Sequence, residues 1–169
     1  YKYLKPENST VWEPPQVMQI ERWLLQLAHQ ALLFEQVTFP ENLGRVLQKR
    51  EEQLVWEEIL REDLKGSKDF LQILPLVRTV QETHRLWQIH LSSEPHDFPP
   101  NRTWEKFTEW QTTFADRCDK EGWWTEADLV FNCLKWIRED QIPIPEEFWF
   151  VGFHKGEDLL LNELRQALQ

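Results

Sequence analysis

The chain has 169 residues, of which 41% are hydrophobic and 28% charged, and its formal net charge is −10. A chain of this size and composition can bury a core without a metal ion or a disulfide framework, so global disorder is excluded. The acidic balance, with a pI near 5.0, argues against a protein that binds nucleic acid through a broadly basic surface.

Three helices are predicted in the first half of the chain. Apolar residues recur at steps of three and four over 16–36 and 45–63, which is the spacing of one helix face. A third helix begins near Asp69 or Pro75, and its apolar stripe includes His84. The face expected to be buried in the second helix is formed by Leu47, Leu54, Val55 and Ile59, with Trp56 as a further candidate.

Capping signals mark two helices of the second half. Asn101 or Thr103 caps a fourth helix, and Gly122 ends it, because glycine readily adopts the left-handed conformation of a helix C-terminus. Thr125, followed three residues later by an aspartate, is close to a capping box and opens a fifth helix. A leucine-rich closing helix is predicted over 159–168.

A short strand is predicted near the C-terminus. Residues 148–151 form a continuous aromatic and β-branched run, which is typical of a strand buried on both faces. Such a strand needs a sheet, and the chain supplies at best one short partner around Val11. The predicted fold class is therefore mainly α, a bundle of about five to six helices with one short buried strand. The missing sheet, together with a start at Tyr1 and a single methionine at Met18, favours a piece of a larger α/β protein.

No membrane or secretory destination is indicated by the sequence. No apolar run approaches the roughly 20 residues that a membrane-spanning helix needs. No basic segment followed by an apolar one marks a secretory signal, so we expect a cytoplasmic protein. The two cysteines, Cys118 and Cys133, are expected to be buried free thiols, and a single bridge between them is the alternative.

A search for catalytic and cofactor-binding motifs finds none. The chain has no glycine-rich phosphate loop, no CxxC, no HExxH and no GxSxG. His84 and His90 are six residues apart and fall on different faces of a helix, so neither a metal site nor a role beyond that of a satisfied or exposed histidine is expected. Adjacent acids such as Glu57 and Glu58 belong to a solvated face rather than to a catalytic carboxylate pair. We expect no catalytic residue, metal or cofactor.

Ten tryptophans are an unusual number for this length. Most of them recur with leucine, valine and phenylalanine at helical spacing, which indicates core positions. Trp123 and Trp124 differ, because they follow Gly122 in a predicted turn. Exposed tryptophan favours a protein–protein interface, so this pair is the candidate interface of the chain.

Several segments carry a family resemblance when they are taken in order. Residues 12–15 (WEPP) are followed by Trp23-Leu24, and residues 53–60 are QLVWEEIL. After the tryptophan-rich helices, residues 143–153 lead from Pro-Ile-Pro into an aromatic strand that ends in Gly-Phe, before a leucine-rich helix. In order and spacing these segments resemble bacterial helicase–nuclease repair proteins of the AddB type and the related "probable DNA repair protein" group.

The resemblance implies a parent protein with a UvrD/RecB-like helicase-related part and a PD-(D/E)xK nuclease domain at its C-terminus. Residues 1–14 would be an irregular lead-in with a short strand. Residues 15–141 would form a helical insertion. Residues 142–169 would form a strand, a turn and a helix that return to the RecA-like core.

The same resemblance places Gly152, Phe153 and His154 where an active helicase has its Walker B acids. Neither glycine nor phenylalanine can bind Mg²⁺ through its side chain, so this position is expected to be degenerate and unable to support ATP hydrolysis. The following turn, Lys155-Gly156, departs from the Thr-Pro that the family commonly has there.

Two hypotheses of function follow. The first is a non-catalytic structural module that packs on the helicase core of its parent, with DNA as a weak partner at most through Arg102, Lys106, Arg117 and Lys120. For those four cations, ordinary surface charge is the alternative. The second is a free-standing helical adaptor that binds another protein through the tryptophan pair and the proline-rich loop 95–100. The oligomeric state is left open.

Overall fold

The computed structural model describes residues 17–35, 37, 44–65, 73–90, 101–144, 149, 151 and 159–168. These residues are mainly helical, which confirms the predicted fold class. None of the helices in the described ranges is long and apolar enough to cross a membrane. In chain order the elements are α1 (Ile20–Leu33), β1 (Arg45–Val46), α2 (Lys49–Asp63), α3 (Ile73–His90), α4 (Arg102–Glu121), β2 (Trp123–Trp124), α5 (Glu126–Arg138) and α6 (Leu159–Ala167).

The buried apolar side chains form two clusters. One cluster, called here the α1–α5–α6 core, also receives Ile89 from the end of α3. Its buried members include Leu24, Ala28, Ala31, Leu129, Val130, Cys133, Leu134, Trp136 and Leu164. The other cluster, called here the α2–α3–α4 core, includes Leu47, Trp56, Ile59, Leu60, Val77, Val80, Phe107, Phe114 and Cys118.

A two-stranded parallel sheet joins the two cores. Arg45 pairs with Trp123 and Val46 with Trp124. Gly44 leads into β1, and its backbone N–H donates to the carbonyl of Gly122 at 2.7 Å. A Cβ atom at Gly44 would lie 3.0 Å from the carbonyl oxygen of Glu121, which is tighter than most Cβ contacts, so this close approach of the two chain segments favours glycine.

Local hydrogen bonds fix the ends of α4 and α5 where the sequence predicts them. The Asn101 side chain accepts from the backbone N–H of Trp104 and caps α4. Gly122 ends the same helix with φ 66° and ψ 36°, a left-handed conformation that favours glycine. Thr125 and Asp128 form a capping box at the start of α5.

Other predicted details are wrong. Helix α2 starts at Lys49 rather than at residue 45, because the preceding residues pair with β2. Leu54 is exposed, since α2 turns Glu52, Val55, Trp56, Ile59 and Leu60 toward the core. Trp123 and Trp124 form a strand and not a turn.

The predicted C-terminal strand is described at only two of its positions. Trp149 and Val151 are 82% and 81% exposed and belong to no strand, so the expected burial is not found at these two residues. A strand of this type is buried by neighbouring strands and by elements on both faces of a sheet. The two-residue pair β1–β2 is the sheet in the described residues. Residues 1–14 and the rest of 145–158 lie outside the described residues.

Candidate functional site

The structure places the sequence-predicted interface residues between the two cores. Trp123 and Trp124 are both half-buried. Trp123 packs against the α2–α3–α4 core, with the guanidinium of Arg45 5.3 Å from the centre of its ring. Trp124 packs against the α1–α5–α6 core, where its ring centre is 6.4 Å from that of Trp136. The pair is therefore a joint within this chain. Gly152, Phe153 and His154 lie outside the described residues.

Two of the four basic residues considered for DNA contact are committed to ion pairs between α2 and α4. Arg117 binds Glu58 at 3.2 Å and Glu62 at 2.7 Å. Lys106 binds Asp63 at 3.0 Å on α2 and Glu109 at 2.8 Å on its own helix. Arg102 and Lys120 are exposed. The two cations on the face of α4 that meets α2 are thus bound in ion pairs, and this face presents no basic stripe.

Of the four buried polar side chains in the described residues, three lie on α2 and α3: Glu52, Gln81 and His84. His84 is 7% exposed, and the side-chain amide nitrogen of Gln111 lies 3.0 Å from its Nδ1. Among the described residues its Nε2 has no hydrogen-bond partner. Trp56 and Phe114 stack in parallel, 4.2 Å apart, and the imidazole lies edge-on to both rings, with centres 5.1 and 5.3 Å away. Burial lowers the pKa of His84 to about 4, so the ring is neutral near pH 7.

A buried carboxylate is hydrogen-bonded to the Trp56 indole. Trp56 Nε1 donates to Glu52 Oε1 at 3.2 Å, inside the α2–α3–α4 core. Gln81 also hydrogen-bonds this carboxyl and donates to the backbone carbonyl of Lys49 at 2.9 Å. Burial raises the pKa of Glu52 against the effect of these two donors, and nearby carboxylates on α5 raise it further.

A polar cleft of about 200 Å³ opens where α2, α3 and α5 meet. Arg85, on its wall, donates to Glu21 at 2.6 Å and to Glu82 at 2.9 Å, which ties α3 to α1. The hydrogen bond from Arg85 lowers the pKa of Glu82, and Glu82 in turn raises that of Arg85. The residues that line the cleft are Lys49, Glu52, Gln81, Glu82, Arg85, Gln88, Thr125, Glu126 and Ala127.

The cleft is lined by carboxyl, amine, guanidinium, amide and hydroxyl groups. Its lining contains no serine, cysteine or histidine, so it offers neither a thiol nucleophile nor an imidazole base. His84 is not among the lining residues. Within the described ranges, no group of three or more histidine, cysteine, aspartate or glutamate side chains is arranged to hold a metal ion.

The two cysteines are free and buried, which confirms the predicted pair of thiols. Cys118 belongs to the α2–α3–α4 core and Cys133 to the α1–α5–α6 core. Burial is the main cause that raises the pKa of each thiol to about 12. Both thiols are therefore protonated and weakly nucleophilic near neutral pH.

Sequence reasoning placed His84 on a buried stripe but missed its polar partners. Glu52 lies in a dense run of charge, which is typical of a solvated face. Its spacing of four residues from Trp56 and three from Val55 was the available signal that it shares their buried face. Gln111 carries no such signal, because its contact with His84 joins two helices across 27 residues of chain.

Comparison with known proteins leaves the family open: no family model, no curated protein and no solved structure matches the chain. The resemblance to helicase–nuclease repair proteins therefore stays a prediction from the sequence segments.

Proposed function

We propose that this chain is a non-catalytic structural module of a bacterial DNA-repair helicase-like nuclease, in which it packs against the helicase-related part. The observation that carries this proposal is the exposure of Trp149 and Val151, at 82% and 81%. They belong to the apolar run 148–151, whose composition is typical of a strand buried on both faces.

Exposure of this kind favours a partner that covers the segment. Full burial of a large apolar side chain contributes about 1.5–3 kcal/mol relative to leaving it in water. Residues two apart in an extended chain point to the same side, so one partner surface can cover both Trp149 and Val151. The pattern fits a sheet in the remainder of the parent, which is the partner that the resemblance implies.

The chemistry of the described residues supports a structural role. The buried thiols are protonated, the cleft offers no thiol and no imidazole, and His84 is not among its lining residues. The ion pairs of Lys106 and Arg117 leave little basic surface on α4, so DNA contact is a minor part of the proposed role. Binding to the helicase-related part is the main one.

The alternative, a free-standing adaptor, has weaker support. Its binding surface would be the tryptophan pair, Trp123 and Trp124, and the proline-rich loop 95–100. Both tryptophans are half-buried between the two cores of this chain, and the loop lies outside the described residues. Exposing the tryptophans to a partner would break the packing that joins the cores.

The test has a genetic and a biochemical part. The native reading frame is expected to encode a helicase-type strand and phosphate loop before this segment and an Asp…Glu-x-Lys nuclease motif after it. The neighbouring polypeptide, produced separately, should bind the chain in a titration followed by analytical ultracentrifugation. The double variant Trp149→Ser with Val151→Ser should lose that binding.

Leu54→Ser is the matched control, because Leu54 is also an exposed apolar residue but lies on α2 outside the apolar run. It should bind as the unmodified chain does. A reading frame without helicase or nuclease motifs, or binding that survives the double serine variant, would contradict the proposed function.

A further inference from the structure

His84 is held in a pocket that favours its neutral form. Gln111 is its polar neighbour, and the stacked rings of Trp56 and Phe114 form the wall beside it. Its Nε2 has no partner in the described part of the chain. A buried charge without a counter-ion is strongly unfavourable, so protonation of this imidazole opposes the closed packing of α2, α3 and α4.

Titratable groups on the packed helices do not supply a counter-ion. On α2, Glu52 accepts from the indole of Trp56, and its raised pKa makes it take up a proton earlier than an ordinary carboxyl as the pH falls. On α4, the thiol of Cys118 is buried in the same core and neutral throughout this range. On α3, Glu82 and Arg85 are bound to each other.

The acids of α5 are also committed elsewhere. Asp128 is held in the capping box of its own helix by Thr125. Glu126 lines the polar cleft, which does not include His84. Consistent with this arrangement, burial is the cause that shifts the pKa of His84, and it favours the neutral form.

We propose that the α2–α3–α4 core is an acid-labile unit, which opens when His84 is protonated while the α1–α5–α6 core stays closed. The second part rests on the composition of the α1–α5–α6 core, whose buried members in the described residues are apolar side chains together with the thiol of Cys133. His29 on α1 is exposed, and the described residues of that core include no buried histidine or carboxyl side chain. This inference is independent of the proposed function.

Each core contains one buried cysteine, and this provides a reporter for each. The full chain is labelled in short pulses between pH 7 and pH 4.5 with 4,4′-dithiodipyridine, a thiol reagent that stays reactive in acid. Peptide mass spectrometry then separates Cys118 from Cys133. Rates are divided by those of the urea-unfolded chain at the same pH, which removes the pH dependence of the reaction itself.

Cys118 should become accessible to the thiol reagent as the pH falls, and Cys133 should stay protected. With a pKa of about 4 in the closed core and 6.5 when exposed, the opening equilibrium reported by Cys118 should rise on the order of fifty-fold from pH 7 to pH 4.5. Cys133 should change far less over the same range.

Substitutions identify the trigger. His84→Asn keeps a hydrogen-bond acceptor near Gln111 but cannot be protonated, so the acid response of Cys118 should disappear. The pair His84→Phe with Gln111→Leu removes the titrating ring with an apolar replacement, and it serves if the asparagine variant folds poorly. Glu52→Gln is the matched control, because it removes a buried carboxyl from the same core and should leave the response intact.

Two outcomes would overturn the inference. If Cys118 and Cys133 accelerate together, acid unfolds the chain as one unit. If Cys118 still accelerates fully in both His84 variants, the trigger is another group.

Discussion

The two cores of this molecule are both formed between helices, but they bury different kinds of side chain. The α1–α5–α6 core is apolar, and the small residues Ala28 and Ala31 let α1 lie close to α5. The α2–α3–α4 core instead combines the stacked Trp56 and Phe114 with the buried polar group His84. The stability of the first core therefore depends mainly on packing, whereas that of the second also depends on the protonation state and hydrogen bonding of buried polar groups.

The largest expected effect comes from the ring at the centre of the polar core. Trp56→Ala should lower the free energy of unfolding by about 4 kcal/mol, because it leaves a large cavity and removes the indole donor from Glu52. Leu134→Ala in the apolar core should cost about 3 kcal/mol. Urea unfolding monitored by circular dichroism measures both.

Leu54→Ala is the matched control on the same helix, since that side chain is exposed, and it should change stability by less than about 0.5 kcal/mol. A loss for Trp56→Ala no larger than that of the control would mean that the polar core contributes little to stability.

The second effect is a pH dependence that belongs to one core. The pKa of His84 is lowered to about 4 in the folded state, so the unfolded chain takes up a proton first as the pH falls below 6.5. Stability should therefore be full above pH 6.5 and fall by about 3 kcal/mol at pH 4. The measurement is urea unfolding across this range for the chain and for His84→Asn.

The comparison with His84→Asn isolates this contribution from that of the carboxylates, which titrate in both proteins. Parallel pH profiles for the two proteins would show that His84 keeps its ordinary pKa, and the contrast between the cores would lose its main electrostatic element.

The third effect compares two helix caps, one at the joint between the cores and one at the surface. Thr125→Ala should cost about 2 kcal/mol, because the residue is buried and its hydroxyl both accepts from the backbone N–H of Asp128 and donates to the Asp128 carboxylate. Asn101→Ala, at an exposed cap, should cost about 1 kcal/mol. Thermal unfolding measures the difference in stability. Thr125→Ser keeps the hydroxyl, so it should lose much less stability than Thr125→Ala. Equal losses at the two caps would contradict the role of burial.

The smallest effect compares two arginines whose side chains are equally exposed, at 28%. Arg85 ties α3 to α1 and so links the two cores, whereas Arg117 joins α2 and α4 within one core. Arg85→Met should cost about 1 kcal/mol and Arg117→Met about 0.5 kcal/mol, since the acids bound to Arg117 are well exposed. Urea unfolding at low and high salt measures both, and the Arg117 effect should vanish in high salt. A larger loss at Arg117 would reverse this ranking.

The parts of the fold that the sequence predicts are those set by neighbouring residues. The ends of α4 and the start of α5 depend on Asn101, Gly122 and Thr125, whose hydrogen bonds reach three or four residues along the chain. The pairing of Arg45 with Trp123 depends instead on residues far apart in sequence, and two residues are too few to show a strand period.

The same contrast between contacts of neighbouring residues and contacts of distant residues holds for the candidate site. His84 is predicted on a buried stripe because its neighbours at helical spacing are apolar. The burial of Glu52 is hidden by the charge around it, and it becomes clear only when Trp56 and Gln81 are seen to donate to its carboxyl. Contacts between helices, rather than propensities along one helix, create this site.

The close approach of Gly44 and Gly122 has a topological consequence. The chain leaves the α1–α5–α6 core after α1 and returns to it at α5, and the two glycines through which it leaves and returns are joined by a 2.7 Å hydrogen bond. The intervening residues, which include α2, α3 and α4, thus form a segment whose two ends lie side by side. Domains that are inserted into other domains have their termini close together in this way. A variant in which a short linker joins the two glycines would lack this segment. Of its buried side chains in the described residues, the α1–α5–α6 core would then lose Ile89.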